Sequence, residues 1–145
     1  MNLIGDAQAD RAVHGGARKS VYVYPSEHYP VWKAELTVTE LPWGSFGENL
    51  TTVGWLETDT RLGDRVRIGT AEFEVISPRK PCHKMEAAFR RTDMIRRFHR
   101  SRRSGFYLGG IKPGVLRAGD SVELLSTPTG SPTVAEAYAG YAGEI

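Results

Sequence analysis

The sequence predicts a mainly β protein with a few helices, of the α+β class, built as a β-barrel. Sixteen glycines and eight prolines in 145 residues favour short elements joined by many turns, which argues against a helical bundle. In Ala71–Ile76, apolar and acidic residues alternate, as in a half-buried strand. Two Gly-Asp turns, at Gly63-Asp64 and Gly119-Asp120, each precede an alternating run, which is the spacing of a barrel.

The first elements are a strand and a helix. Ser20–Tyr24 is β-branched and aromatic and is bounded by Gly15-Gly16 and Pro25, which predicts a strand. A helix is predicted from Pro25 or Ser26 to Leu36. Because Pro30 is costly beyond the first turn, its regular part is expected to begin near Tyr29.

The central elements are a loop, a short strand and a hairpin. Trp43–Gly47 is rich in turn residues, and Leu50–Val53 is predicted to be extended. Arg65–Ile68 and Ala71–Ile76 are separated by Gly69-Thr70, which predicts a β-hairpin.

The second half predicts helices and a tail. Apolar residues recur at helical spacing through Lys84–Ser101, and Thr92 or Asp93 is expected to cap a second helix within it. Residues 127–133 are rich in Ser, Thr, Pro and Gly, and Val134–Tyr141 is compatible with one or two helical turns. We therefore predict a domain over residues 1–126, followed by a linker and a short helical tail over 127–145.

Charge is concentrated in one segment. The chain carries a formal charge of +2, yet residues 90–103 contain seven arginines and one aspartate. Such a segment is either a solvated face or a surface for phosphate, nucleic acid or an acidic partner. Aromatic residues for base stacking are few near it, only Phe98 and Phe106, so nucleic acid ranks last among the functions considered.

A single cysteine excludes an internal disulfide, so the expected location is cytoplasmic. No signal peptide is predicted at the start, and no run approaches the roughly 18 apolar residues that span a membrane. One cysteine and four scattered histidines provide no zinc-ligand spacing. His28 and His99 fall in helical segments and are expected at the surface.

Cys82 is the first candidate for chemistry. It follows the alternating strand between Pro78 and Pro81, and Arg79, Lys80, His83 and Lys84 surround it with potential positive charge. Nearby cations favour the thiolate, which is both a nucleophile and a soft metal ligand. The competing interpretation is a buried, inert cysteine.

Two further groups are candidates for binding. His14-Gly15-Gly16 with Arg18 and Lys19 can form an anion-binding nest, or simply a polar turn. In the loop after Gly47, Glu48 and Asn49 can face a cleft, where the Asn49 amide would recognise a heterocycle. Alternatively, such side chains satisfy the backbone of their own loop.

Taken in order, these groups resemble the MOSC family, the domain found at the C-terminal end of molybdenum cofactor sulfurases. The resemblance spans Gly5 to about Leu125 and is similar above all to the single-domain bacterial branch that reduces N-hydroxylated bases. The blocks that carry it are Gly5–Asp10, His14-Gly15-Gly16 with Lys19, Tyr24–Tyr29, Phe46–Leu50, Gly63-Asp64 and Pro78–Cys82.

The resemblance implies a β-barrel in which Cys82 is the catalytic residue and the ligand of molybdenum. It implies that the molybdenum cofactor, a pterin with a phosphate, is held by the remaining motif residues: His14, Lys19, Arg79, Asn49, Gly15 and Gly16. The implied reaction is reduction of N–OH to N–H in a small N-hydroxylated substrate, with electrons from a separate donor protein. The family is also associated with pyridoxal phosphate binding.

The sequence departs from the family pattern at its start, because only Met1–Ile4 precede the first motif. A barrel strand is therefore expected to be absent, which would leave an unpaired sheet edge exposed. A homodimer, in which a partner chain completes the barrel, is one alternative. Two other functions are considered. In one, Cys82 carries a persulfide for sulfur transfer to a metal–sulfur centre or cofactor; in the other, the arginine segment binds nucleic acid or an acidic partner.

Overall fold

A computed structural model describes residues 2–4, 12–13 and 16–141, with side chains described from residue 20 to residue 141. The strands are β1 (Asn2–Ile4), β2 (Ala12–Val13), β3 (Gly16–Pro25), β4 (Leu50–Val53), β5 (Arg65–Ile68), β6 (Ala71–Pro78), β7 (Phe106–Lys112), β8 (Gly114–Val115) and β9 (Val122–Ser126). The helices are α1 (His28–Leu36), α2 (Lys84–Phe89), α3 (Met94–Ser101) and α4 (Val134–Tyr141).

One mixed sheet organises the molecule. Its strand order is β1-β4-β3-β7-β6-β5-β9, and β2 and β8 form a separate pair. Strands β3 and β4 are parallel, joined through α1, while the other pairs are antiparallel. The sheet curves into a half-barrel with four helices, which confirms the predicted fold class. Among the described residues, β1 and β9 are edges that do not pair with each other.

The predicted hairpin is confirmed, and the two Gly-Asp turns prove to be neighbours. Strands β5 and β6 pair in register from Arg65↔Glu74 to Ile68↔Ala71, and β6 continues beyond Ile76 to Pro78. The strand after the second turn, β9, pairs with β5 on its other side. In each turn the aspartate accepts a hydrogen bond from the backbone N–H three residues earlier, at 2.9 Å for Asp64 and 2.8 Å for Asp120. The repeated sequence therefore encodes the same local turn twice.

The strand predicted over Ser20–Tyr24 is longer than expected, because β3 runs through Pro25. The prediction that Pro25 opens the following helix is wrong, and α1 begins at His28. Pro30 therefore lies in the first turn, where the missing N–H removes no intrahelical hydrogen bond. The expectation of a regular helix from near Tyr29 to Leu36 is confirmed.

Alternation along β3 places two different cores on the two faces of the sheet. Val23 belongs to a largely aliphatic cluster with Phe73, Leu108 and Val134. Its neighbours Tyr22 and Tyr24 lie in an aromatic cluster beneath α1, α2 and α3. The members of that second cluster are Tyr22, Tyr24, Tyr29, Trp32, Leu36, Phe46, Met85, Met94 and Phe98. Both faces of the central strand are thus buried, and the aromatic side supports the candidate site.

The segment Lys84–Ser101 forms two helices, as predicted, with the break between Phe89 and Met94. Asp93 occupies the N-cap position of α3 but makes no capping hydrogen bond, contrary to the expectation. Its carboxylate instead accepts hydrogen bonds from Arg91 and Arg97. Ion pairs from Asp93 to Arg91 and Arg97 have replaced the capping hydrogen bond.

The C-terminal segment lies on the body of the protein. Ser131 donates to the carbonyl of Leu62, and the N–H of Val134 donates to Thr60 at 2.7 Å. Helix α4 buries the side chains of Val134 and Tyr138 completely or almost so. Residues predicted as a linker and a fraying tail are therefore attached by hydrogen bonds and by apolar packing.

Candidate functional site

Cys82 lies in the short connection between the end of β6 at Pro78 and the start of α2 at Lys84. Prolines at positions 78 and 81 restrict this connection, and its end is fixed by the Met85 N–H, which donates to the Cys82 carbonyl at 3.0 Å. The cysteine is partly exposed. It is therefore accessible, which argues against the buried, inert cysteine of the alternative interpretation.

Arg79 connects the cysteine to the rest of the site. Its Nη2 lies 3.6 Å from the Cys82 Sγ, within hydrogen-bond distance for sulfur. Its Nη1 donates to the carbonyl of Phe46, and its guanidinium stacks 4.7 Å above the ring of Tyr22. Three contacts in different directions leave the guanidinium little freedom, so its charge is held beside the sulfur.

The pKa of the Cys82 thiol is lowered from its usual value. Burial acts to raise this pKa, but the hydrogen bond from Arg79 and the backbone N–H groups of Lys84 and Met85 outweigh it. Each of these donors stabilises the thiolate more than the thiol. Of the four potential cations in the predicted cluster, Arg79 is the one whose side chain lowers the thiol pKa.

The hydroxyl of Tyr22 behaves in the opposite way. Burial raises its pKa above the ordinary tyrosine value, although Arg79 acts to lower it. The hydroxyl donates to the carbonyl of Ser104 at 2.5 Å. Tyr22 is therefore a neutral supporting platform for Arg79, and sequence reasoning did not identify it. Its alternating strand predicted only that the residue lies in a β element.

A cleft of about 280 Å³ opens beside Arg79. Its cations come from Arg79 and Lys84, and its apolar wall from the aromatic cluster and α2. The lining residues are Ser45, Phe46, Gly47, Arg79, Lys84, Met85, Ala88 and Phe89. A ligand with a flat ring and an anionic group suits such a lining.

The loop before β4 was expected to present Glu48 and Asn49 to a cleft, and the structure assigns both side chains to packing. Glu48 is buried and accepts hydrogen bonds from the Tyr29 hydroxyl at 2.5 Å and the Phe46 N–H at 3.0 Å. Asn49 Oδ1 accepts from the Tyr22 N–H at 2.8 Å. Only the bond from the Phe46 N–H to Glu48 matches the alternative interpretation, in which the side chains satisfy the backbone of their own loop. Asn49 instead binds the backbone of β3.

Arg79 and Asn49 nevertheless both contact Tyr22 on β3. Arg79 covers the ring of Tyr22, while Asn49 binds the backbone of the same residue. His14 and Gly15 lie outside the described residues, as does the side chain of Lys19. Gly16 is the first residue of β3, the strand that carries Tyr22, and its backbone pairs with Gly110 on β7.

The expectation for His28 is wrong. Its side chain is only 16% exposed, and Nε2 lies 2.9 Å from a carboxylate oxygen of buried Glu57. The same carboxylate accepts the Gly105 N–H at 2.8 Å, which holds the start of β7. Residues 28, 57 and 105 are far apart in sequence, so no local pattern indicated this network. His99 is exposed, as expected, and lies 3.1 Å from the Tyr138 hydroxyl.

The described residues contain no group of three or more His, Cys, Asp or Glu side chains that could hold a metal ion. Within the same part of the chain, no helix is long and apolar enough to cross a membrane.

Comparison with known proteins adds sequence relatives. A family model described as MOSC domain matches residues 10–123. YflK of Bacillus subtilis (strain 168) is 40% identical over 125 residues, covering 86% of this chain and 56% of YflK. YiiM of Escherichia coli (strain K12) is 37% identical over 145 residues, covering 96% and 62%. A protein named Reductase from Gibberella moniliformis (strain M3125 / FGSC 7600) is 33% identical over 129 residues, covering 87% and 23%.

Solved structures share the fold. The crystal structure of YiiM from Geobacillus stearothermophilus matches with a TM-score of 0.85 at 30% identity, covering 93% of this chain and 71% of that one. YiiM from Escherichia coli matches with a TM-score of 0.72 at 31% identity, covering 95% and 68%. The chain spans less than two thirds of the length of the bacterial sequence relatives, at 56% of YflK and 62% of YiiM.

Proposed function

Because this chain belongs to the MOSC domain family, we propose that it binds the molybdenum cofactor through Cys82 and reduces N-hydroxylated compounds. The observation that carries the proposal is the contact between Arg79 and the Cys82 sulfur beside an open cleft. A relative named Reductase supports the redox class of the reaction.

The residues present fit such a cofactor. A partly exposed cysteine with a lowered thiol pKa supplies a soft anionic ligand. In this proposal the metal brings its remaining ligands with it. A pterin dithiolene would do so, and the cleft of about 280 Å³ lined by Arg79, the partner of Cys82, offers an apolar wall and two cations for its ring and phosphate.

Each residue then has a distinct part in binding. Cys82 would hold the metal through its thiolate, while Arg79 lowers the pKa of that thiol and orients the sulfur. Lys84 at the cleft binds the phosphate. His14, Lys19 and the Gly15-Gly16 pair are proposed to complete the phosphate site, since glycine lets backbone N–H groups approach an anion closely. Asn49 acts indirectly, by holding the strand that carries Tyr22.

The reaction is balanced as a two-electron reduction. R–NHOH takes up two electrons and two protons, the N–O bond breaks, and R–NH₂ and water are released. When bound, the cofactor supplies the site for this two-electron transfer, and the protein excludes competing chemistry. The electrons are proposed to come from a separate donor protein.

Metal content tests the proposal directly. The protein and its Cys82→Ser variant are produced in cells that make molybdenum cofactor, and molybdenum per folded chain is measured. We expect near-stoichiometric metal in the unsubstituted protein and almost none in Cys82→Ser. His83→Ala serves as the matched control, because the His83 side chain is 97% exposed and adjacent in sequence. A folded unsubstituted protein without molybdenum, or equal metal in Cys82→Ser, contradicts the assignment.

A second candidate function is sulfur transfer, which the accessible, low-pKa thiol also supports. The Cys82 thiolate would attack the outer sulfur of a donor persulfide, release the donor thiolate and carry the persulfide to a metal–sulfur acceptor. Mass spectrometry after incubation with a persulfide donor separates the two functions. A one-sulfur mass increase that is lost in Cys82→Ser, without bound molybdenum, favours the sulfur carrier.

A further inference from the structure

Some arginines of the segment 90–103 form ion pairs with nearby carboxylates, and others do not. Arg97 donates to Asp93 at 2.6 Å and to Glu35 on α1 at 3.2 Å. Arg103 donates to the other oxygen of Glu35 at 2.7 Å and lies 4.2 Å above the buried ring of Trp32. These two arginines attach α3 to α1 and use up both carboxylates.

Arg96 and Arg100 are the remaining cations on the outer side of α3. Both are exposed and, with Arg97, Ser101 and Glu35, line a cleft of about 150 Å³. Among the described residues, neither has an acidic side chain within ion-pair distance. Positions four apart lie on one side of a helix, so the two like charges repel each other. A cation at Arg96, in the first turn, is also disfavoured by the helix dipole.

The dipole favours Arg100, which lies in the last turn, so helix stability explains Arg100 but not Arg96. The chain as a whole carries only +2, although the segment from 90 to 103 has seven arginines and one aspartate, so the remainder is net acidic. We infer that the outer face of α3, formed by Arg96 and Arg100 with the cleft between them and α1, is a docking surface for an acidic protein. Charge complementarity identifies the partner class.

This inference rests on the proposed function for the partner's role, which is to donate electrons. The buried side of α3 leads toward Cys82 by direct contacts. The rings of Phe98 and Phe46 are 6.5 Å apart, the Phe46 carbonyl accepts from Arg79, and Arg79 lies 3.6 Å from the sulfur. A donor bound on α3 is thus separated from the site by one helix and the aromatic cluster.

Nucleic acid fits this surface less well. The two aromatic residues in and next to the segment, Phe98 and Phe106, are both completely buried. Single-stranded nucleic acid relies on exposed aromatic faces for stacking as well as on cations. The surface offers charge without stacking, which suits carboxylates on a folded protein.

The test measures binding of an acidic flavodoxin, a flavin-carrying redox protein, to the unsubstituted protein and to charge variants. Arg96→Glu and Arg100→Glu are each expected to raise the dissociation constant about tenfold or more, mainly by slowing association. Arg117→Glu makes the same change in net charge at an exposed position outside the segment. It is expected to change the dissociation constant less than about twofold. Binding by the unsubstituted protein is expected to weaken steeply with added salt.

The inference is overturned if the unsubstituted protein does not bind the flavodoxin, or if Arg117→Glu weakens binding as much as Arg96→Glu. It is also overturned if a single-stranded oligonucleotide binds more tightly and displaces the flavodoxin. Thermal unfolding of each variant verifies that the fold is retained.

Turnover separates this inference from the proposed function. With a chemically reduced viologen as donor, Arg96→Glu and the unsubstituted protein are expected to reduce an N-hydroxylated base equally. With reduced flavodoxin, the Arg96→Glu variant is expected to be at least several-fold slower at limiting donor. Loss of viologen-driven turnover in every protein counts against the proposed function, whereas the binding result still decides the docking surface.

Discussion

At the scale of single residues, one guanidinium determines the chemistry of the site. Arg79 is held by the Phe46 carbonyl and the Tyr22 ring, so its charge stays within 3.6 Å of the Cys82 sulfur. A mobile lysine at the same position would donate a less directional hydrogen bond and spend more time in solvent. The other nearby cation in the loop, Lys80, points elsewhere, with its Nζ 4.3 Å from the ring of Tyr141.

This geometry predicts the pH dependence of Cys82 alkylation. The hydrogen bond from Arg79 lowers the thiol pKa, so the midpoint of the rate–pH profile is expected below that of an unperturbed cysteine thiol. Arg79→Ala removes the hydrogen bond that lowers the thiol pKa, while the effect of burial, which raises it, remains. The midpoint is therefore expected to rise. Lys80→Ala is the matched control and is expected to leave it unchanged. Because Cys82 is the one cysteine in the sequence, iodoacetamide labelling reports it alone. Equal midpoints for Arg79→Ala and the unsubstituted protein would contradict the assignment.

At the scale of elements, the close approach of β7 to β3 depends on a residue without a side chain. Gly105, which precedes β7, has a φ of +64°, and an added Cβ would lie 2.5 Å from the Val23 carbonyl oxygen and 2.8 Å from the Tyr24 ring. The Gly105 N–H also donates to Glu57, which is paired with His28. One glycine therefore joins the strand carrying Tyr22 to the network of buried polar groups.

Substitution at two glycines separates steric overlap from backbone strain. Gly119 has a φ of +91° but no neighbour within 4 Å of an added Cβ. Gly119→Ala is expected to lower the free energy of unfolding by only about 1 kcal/mol, the usual penalty for a left-handed residue. Gly105→Ala adds the clash with Val23 and is expected to cost about 3 kcal/mol or more. Urea denaturation measures both values, and similar losses for the two variants would rule out a steric role for Gly105.

At the scale of the whole molecule, the C-terminal segment completes the aliphatic core. Val134 is fully buried in the cluster that contains Val23 and Phe73, and Tyr138 is 1% exposed. Leu62 donates its N–H to the Pro132 carbonyl at 3.0 Å, so the segment is also hydrogen-bonded to the turn before β5. Helix α4 therefore contributes a buried side chain to the aliphatic face of the sheet.

Truncation tests whether residues 127–145 are a separable tail. A chain ending at Ser126 exposes the surface that Val134 and Tyr138 cover, and burying each such side chain contributes about 1.5–3 kcal/mol. We expect the free energy of unfolding to fall by about 3–6 kcal/mol, a large share of the total for a domain. Tyr141→Ala, at a side chain that is 52% exposed, is the control and is expected to cost under about 1 kcal/mol. Unchanged stability after truncation would show that residues 1–126 fold independently.

Local sequence patterns determined the elements and the centre of the site. The hairpin, the two Gly-Asp turns and the helices after Cys82 depend on residues a few positions apart, and their predictions are confirmed because period and turn chemistry are local properties. The closeness of Arg79 to Cys82 is local for the same reason. The MOSC resemblance also rested on short ordered blocks, and the family match over residues 10–123 agrees with it.

Only the tertiary structure decided which distant groups meet. Tyr22 supports Arg79 because β3, β7 and β6 are neighbours in the sheet, and that order is not contained in any local pattern. The same holds for His28, which was expected at the surface but pairs with buried Glu57. It also holds for Asn49, whose side chain binds the β3 backbone. A side chain's role depends on what long-range packing places beside it, and packing energy is shared over the whole core rather than assigned to single positions.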